Sequence, residues 1–131
     1  MRNLYIFGAY GTGNIGDDAI FSSLHTTYTS LGYNVVQIYV NKTNISTEAI
    51  CYDQIYKPDF KFVPDSTLVI GGGGLFHCKQ ALTDYLKVAN IAKEQNVPLL
   101  IIGVGTEGTL PEFKAEVVKL CNMAAVIKVR S

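Results

Sequence analysis

The stretch Leu4-Tyr5-Ile6-Phe7-Gly8-Ala9-Tyr10-Gly11-Thr12-Gly13-Asn14-Ile15-Gly16-Asp17-Asp18 decides the fold. Four consecutive apolar, β-prone residues stop at Gly8, as in a strand covered on both faces. Beyond the glycines, Asp17 to Leu31 carries apolar residues at Ala19, Ile20, Leu24, Tyr28 and Leu31, close to the spacing of one helical face, and Gly32 supplies a stop. Strand, glycine loop and helix in that order open an alternating α/β chain.

The same grammar continues downstream. Asn34 to Val40 is β-branched and aromatic and reads as a second strand. Residues 41–64 hold a possible short helix around Glu48 to Tyr56 and a turn at Pro58-Asp59. Thr67-Leu68-Val69-Ile70 is a third buried strand, ended by four glycines, Gly71 to Gly74. A helix follows from Leu75 or Lys79 to Gln95, packed through Leu82, Leu86, Ala89 and Ala92 or Lys93. Pro98 to Ile102 is a fourth strand, leading into Gly103-Val104-Gly105. A further helix from about Pro111 reaches Met123, and Ala125 to Val129 is a fifth strand. Nearly all-apolar strands alternating with helices predict a doubly wound, Rossmann-like parallel sheet of about five strands.

Composition narrows the class. The 131 residues fit one domain with a real core, and 48% hydrophobic against 17% charged residues sets the chain apart from disordered sequences. Eleven Lys and Arg balance eleven Asp and Glu, so no net field draws in a nucleic-acid backbone or an anionic membrane. Cys51, Cys78 and Cys121 are widely spaced and form no Cys-x-x-Cys pair, which predicts reduced, mostly buried thiols. Neither a signal-peptide core nor a run of roughly 18 apolar residues is present, so the expectation is a cytoplasmic protein without a membrane span. The sequons at Asn41 and Asn44 then read as chance.

Ligands of open parallel sheets bind beyond the carboxyl ends of the strands. Three predicted strands end there in glycine: at 8–16, at 71–74 and at 103–108. Glycine lets backbone N–H groups approach a ligand closely, and a helix N-terminus adds partial positive charge, so such loops suit phosphate, carboxylate or sugar hydroxyls. Tight turning alone also explains a glycine at a strand end, but three on one edge are harder to explain that way. Gly11-x-Gly13-x-x-Gly16 matches the dinucleotide fingerprint, yet the second strand ends in Asn41-Lys42 instead of an acidic residue, and Asp17 and Asp18 would repel a pyrophosphate. No Gly-Lys-Ser/Thr follows a glycine run and no Gly-x-Ser-x-Gly elbow occurs, which excludes a P-loop and leaves a serine hydrolase unsupported.

Asp17 and Asp18 complement a helix dipole, and Asp17 is also placed to accept a proton from a sugar hydroxyl. His77, just past the four glycines, is either an acid–base group or cation for an anionic ligand, or a surface histidine at a helix start. Tyr10, inside the first glycine loop, is the tyrosine best placed to stack on a sugar; most of the other seven read as core or rim. His25 reads as structural or exposed. Two histidines without Cys or Glu in ligand spacing predict no structural metal.

The series Gly11-x-Gly13-Asn14-x-Gly16-Asp17-x-Ala19-Ile20, Leu68-Val69-Ile70-Gly71-Gly72-Gly73-Gly74-Leu75, Gly103-Val104-Gly105 and Val129-Arg130-Ser131 resembles the N-terminal half of polysaccharide pyruvyl transferases. Ser131 stands where that family commonly has Asp. The resemblance implies the first of two Rossmann-like domains facing each other across a glycosyltransferase-B-like cleft, with a second domain missing from residues 1–131. It implies transfer of the enolpyruvyl group of phosphoenolpyruvate, the donor substrate, to a glycan or lipid-linked sugar acceptor in exopolysaccharide biosynthesis, forming a pyruvate ketal with no resident cofactor. Asp17 and His77 would be catalytic. Tyr10, Gly11, Gly13, Asn14, Gly16, Gly72, Gly73, Gly74, Leu75, Gly105 and Arg130 would line the acceptor side, and the isolated chain would be inactive. A nucleotide-sugar glycosyltransferase half and a non-catalytic glycan- or phosphosugar-binding module remain alternatives, with an NAD enzyme more distant.

Overall fold

A computed structural model describes residues 2–7, 15–39, 48–71, 79–104 and 126–129. Six strands form one sheet in the order β3-β2-β1-β4-β5-β6, and every neighbouring pair is parallel. The strands are β1 (Asn3–Phe7), β2 (Asn34–Tyr39), β3 (Ala49–Cys51), β4 (Ser66–Gly71), β5 (Leu99–Val104) and β6 (Val126–Val129). The helices are α1 (Ile15–Ser30), α2 (Tyr52–Ile55) and α3 (Lys79–Glu94). This is the doubly wound, Rossmann-like α/β fold expected from the sequence. The strand beyond the expected five is β3, a three-residue edge inside the segment read as a short helix or turn. It exists because Ala49, Ile50 and Cys51 pair with Gln37, Ile38 and Tyr39. The helix expected from Pro111 lies outside the described residues.

Period-two alternation sorts the strand side chains into two cores. Tyr5, Phe7, Val36, Ile38, Leu68 and Ile70 face α2 and α3. Leu4, Ile6, Val35 and Val69 face α1. These strands are apolar at nearly every position because both faces are covered.

Both long helices bury part of the face that spacing predicts, Leu24 and Tyr28 on α1 and Leu86, Ala89 and Ala92 on α3, and each adds residues that spacing did not single out. On α1, Phe21, Leu24 and Tyr28 pack on the sheet, whereas Ala19 is exposed and Leu31 is 67% exposed. Leu31 turns outward because the helix ends in a Schellman motif, with Gly32 at φ +90°. Tyr33 N–H donates to the Tyr28 carbonyl at 3.0 Å and Gly32 N–H to Thr29 at 3.0 Å. The turn brings the Tyr33 ring edge-on to Tyr28 at 5.4 Å, so Tyr33 covers what Leu31 was expected to cover. On α3 the buried face is Tyr85, Val88, Ala89 and Ala92; Leu86 is half-buried and Lys93 exposed. The Phe7 ring meets Tyr85 edge-on at 5.0 Å, which adds Tyr85 to that face.

The helix α3 ends by the same device. Asn96 adopts φ +58°, Val97 N–H donates to Ala92 at 2.8 Å and Asn96 N–H to Lys93 at 3.1 Å. Strand β5 starts at Leu99, not at Pro98, which has no N–H for the ladder and contributes only its carbonyl, to Leu68 N–H at 2.9 Å.

Candidate functional site

Register places one residue of every strand on a single line across the sheet: Ile50, Ile38, Phe7, Ile70, Ile101 and Ile127. Everything beyond that line is the carboxyl edge. Strands β1 and β4 are neighbours, yet α1 after β1 packs on one face and α3 after β4 on the other. Helices diverging from adjacent parallel strands leave a crevice between them, which is where open α/β sheets bind ligands.

The helix α1 begins at Ile15, so Gly16 and Asp17 lie in its first turn. Asp18 follows in that turn. Helix α3 carries no acidic residue in its first turn and starts with Lys79.

The remaining candidates, Tyr10, Gly11, Gly13, Asn14, Gly72, Gly73, Gly74, Leu75, His77, Gly105 and Arg130, lie outside the described residues. Two strands run further than expected. Gly71 belongs to β4, paired with Ile102, and β5 continues through Gly103 to Val104. The register between β5 and β6 shifts between Ile102 and Val104, so Gly103 sits at a bulge, a position that suits a residue without a Cβ. Gly105 follows Val104 and Arg130 follows Val129, both ends of strands on this edge.

His25 is half-buried in mid-α1, its ring 5.9 Å from that of Phe21. Cys51, the last residue of β3, is a half-buried free thiol. Among the described residues no three His, Cys, Asp or Glu side chains come together as a metal site. Nor is any described helix long and apolar enough to cross a membrane.

A cavity of about 450 Å³ opens at the opposite, amino edge. Arg2, Tyr33, Asp65 and Asn96 line it, and it occupies the space where the chain enters β1, β2, β4 and β5. Arg2 Nη1 donates to Tyr33 Oη at 3.4 Å, which raises the guanidinium pKa further. Sheet architecture argues against reading this volume as the principal site, because helix C-termini, not N-termini, surround the amino edge.

A cluster that sequence reading left in the background stands at the carboxyl edge beside β3. Tyr52 opens α2 directly after Cys51, and its ring meets Tyr56 edge-on at 5.2 Å. Lys87 Nζ lies 5.5 Å from the centre of the Tyr56 ring, and Tyr56 Oη is 3.5 Å from the Asp84 carbonyl. Asp84 is only 5% exposed. Burial, then the Asp84 charge, pushes the Tyr56 phenol well above its ordinary range; Asp53 and then Asp84 raise that of Tyr52. Eight tyrosines in a short chain were visible beforehand; that Tyr52 reaches the ligand edge depends on the register of β3.

No protein-family model, curated protein or solved structure matches this chain. The class defined by fold and edge is a Rossmann-like α/β domain with its crevice between β1 and β4.

Proposed function

We propose that this chain is the acceptor-binding N-terminal domain of an enzyme similar to polysaccharide pyruvyl transferases. The observation that carries the reading is the switch point between β1 and β4, from which α1 and α3 pack on opposite faces of the sheet, with Gly16 and Asp17 in the first turn of α1. The motif series named above supports the same reading, since its elements follow β1, β4, β5 and β6 in the sequence.

In this reaction a sugar hydroxyl attacks C2 of phosphoenolpyruvate while the methylene carbon takes up a proton and becomes a methyl group. A second hydroxyl then bonds to the same carbon, the carbon–oxygen bond to phosphate breaks, and inorganic phosphate leaves. Of the two hydroxyl protons, one balances the new methyl group and the other leaves on phosphate. Asp17 is the base for the attacking hydroxyl and His77 the acid that protonates the methylene. Arg130 and Lys79 supply positive charge for the donor's carboxylate and phosphate. The main phosphate-binding residues belong to a second domain across the cleft.

The test is to incubate the full-length gene product carrying residues 1–131 with phosphoenolpyruvate and a panel of glycan acceptors. Phosphate release matched by a new ketal methyl resonance supports the reading. Transfer from a nucleotide sugar instead, with phosphoenolpyruvate inert, replaces it with the glycosyltransferase alternative.

A further inference from the structure

Counting the sheet register back one residue from Asn3 places Tyr33, Arg2, Asp65 and Asn96 side by side, one at the entry of each of β2, β1, β4 and β5. Neighbours in that row are about 5 Å apart along the sheet, one strand spacing. A phenol, a guanidinium, a carboxylate and an amide thus follow one another along the amino edge, and all four line the same cavity of about 450 Å³. Such a volume is ordinary for a small-molecule site. Val63, Pro64, Val97 and Pro98 give it an apolar wall.

The row is held in place by the backbone. The Arg2 carbonyl accepts the Asn34 N–H at 2.8 Å, and the Asp65 carbonyl accepts the Asn3 N–H at 3.0 Å. Asn3 Nδ2 donates to the Pro64 carbonyl at 3.2 Å, and Ser66 Oγ donates to the Val63 carbonyl, which closes the turn around Asp65. Asp65 adopts φ +59° and Asn96 φ +58°, a region that Asp and Asn enter more readily than other residues with a Cβ. The end of α3 accounts for Asn96. At Asp65 no helix ends, and the turn sets a carboxylate in the cavity wall next to Arg2.

Arg2 directs its hydrogen bond to the neutral Tyr33 hydroxyl, and Asp65 reaches the guanidinium through the weaker effect of its charge. Further guanidinium N–H groups therefore serve a ligand. Opposite charges one strand spacing apart, beside an apolar wall, match a molecule that carries a carboxylate, an ammonium and an apolar substituent on one carbon. The helix C-termini around this edge disfavour a lone anion and suit an ammonium beside Asp65.

We propose that the amino-edge cavity binds an α-amino acid with an apolar side chain, its carboxylate on Arg2 and its ammonium on Asp65. The site is separate from the β1–β4 crevice and does not rest on the pyruvyl-transfer reading.

The experiment is isothermal titration calorimetry of the full-length protein carrying residues 1–131 with L-phenylalanine, L-leucine and two derivatives. N-acetyl-L-phenylalanine has no ammonium and L-phenylalaninamide has no carboxylate. Both amino acids are expected to bind with a Kd of about 1 mM or tighter, and each derivative about 10-fold more weakly than phenylalanine. Asp65→Asn, which keeps a side chain suited to φ +59°, is expected to weaken phenylalanine about 10-fold and leave N-acetylphenylalanine unchanged. Arg2→Gln is expected to weaken phenylalanine about 10-fold and leave the amide unchanged. Both residues are exposed, so an unchanged melting temperature is expected of each variant and serves as the folding control. No saturable binding of either amino acid at about 10 mM, or affinities that neither substitution moves, overturns the site. N-acetylphenylalanine bound as tightly as phenylalanine overturns the zwitterion and leaves a simple anion site at Arg2. Phenylalaninamide bound as tightly as phenylalanine overturns it in favour of a cation site at Asp65.

Discussion

Gln95 Oε1 accepts the Phe62 N–H at 2.8 Å, and Nε2 of the same amide donates to the Phe60 carbonyl at 3.0 Å. One side chain at the end of α3 thus acts as a strand partner for the connection that leads from α2 to β4. The connection needs one, because Phe62 is buried beneath Tyr5, the rings meeting edge-on at 4.9 Å, and Phe60 packs edge-on to Phe62 at 5.0 Å. Gln95→Leu leaves the Phe62 N–H without this partner inside the core and is expected to cost about 1–3 kcal/mol, read from the urea midpoint at unchanged slope. A loss below about 0.5 kcal/mol would show that water replaces the amide.

Gly32→Ala is expected to destabilise the chain by about 1 kcal/mol through backbone strain alone. The cause is φ +90°, since an added Cβ would meet nothing within 4 Å. Differential denaturation measures it, and Gly32→Asn should recover part of the loss because Asn tolerates this region better. Equal stability of wild type and Gly32→Ala would mean that the helix end relaxes without the Schellman turn.

Stability is expected to fall as pH rises above about 10. The Tyr56 phenol has a folded pKa raised by burial and by the Asp84 charge, so the folded state favours the protonated form. That contribution is fully present below the unfolded pKa and is lost as pH rises from there through the folded value. Tyr5, raised mainly by burial, adds to it in the same direction. Tyr56→Phe should flatten the decline between pH 10 and 11.5 while changing stability little at pH 8. Superimposable profiles would remove Tyr56 from the account.

The parts of the fold legible in the sequence are those fixed by burial. Leu4 to Phe7, Leu68 to Ile70 and Leu99 to Ile101 are covered on both faces, and a continuous apolar run records that directly. Strand β3 was not legible, because three residues are too few to show a period and its existence depends on pairing with Gln37 to Tyr39. On α3 the spacing identified Leu86, Ala89 and Ala92, which pack on the core, but not Tyr85 and Val88, because a tyrosine in a helix reads as core only once the Phe7 ring is seen to meet it edge-on. Gln95 carries no local signal either, since its partners lie 33 and 35 residues away. At the candidate site, glycine and acid spacing started the first helix at Asp17 and left Gly16 in the loop, whereas α1 begins two residues earlier, at Ile15. Tyr52 was invisible as an edge residue until the sheet register placed it there.

The central claim is tested most directly by comparing the full-length enzyme with its Asp17→Asn variant in ketal formation from phosphoenolpyruvate and a glycan acceptor. This substitution keeps the shape of the side chain in the first turn of α1 and removes its capacity to take up a proton. The account predicts ketal formation by wild type and turnover at least about 100-fold lower in Asp17→Asn, with an unchanged melting temperature. Near-normal turnover in Asp17→Asn would contradict the role given to Asp17, and with it the placement of the chemistry in the crevice between β1 and β4.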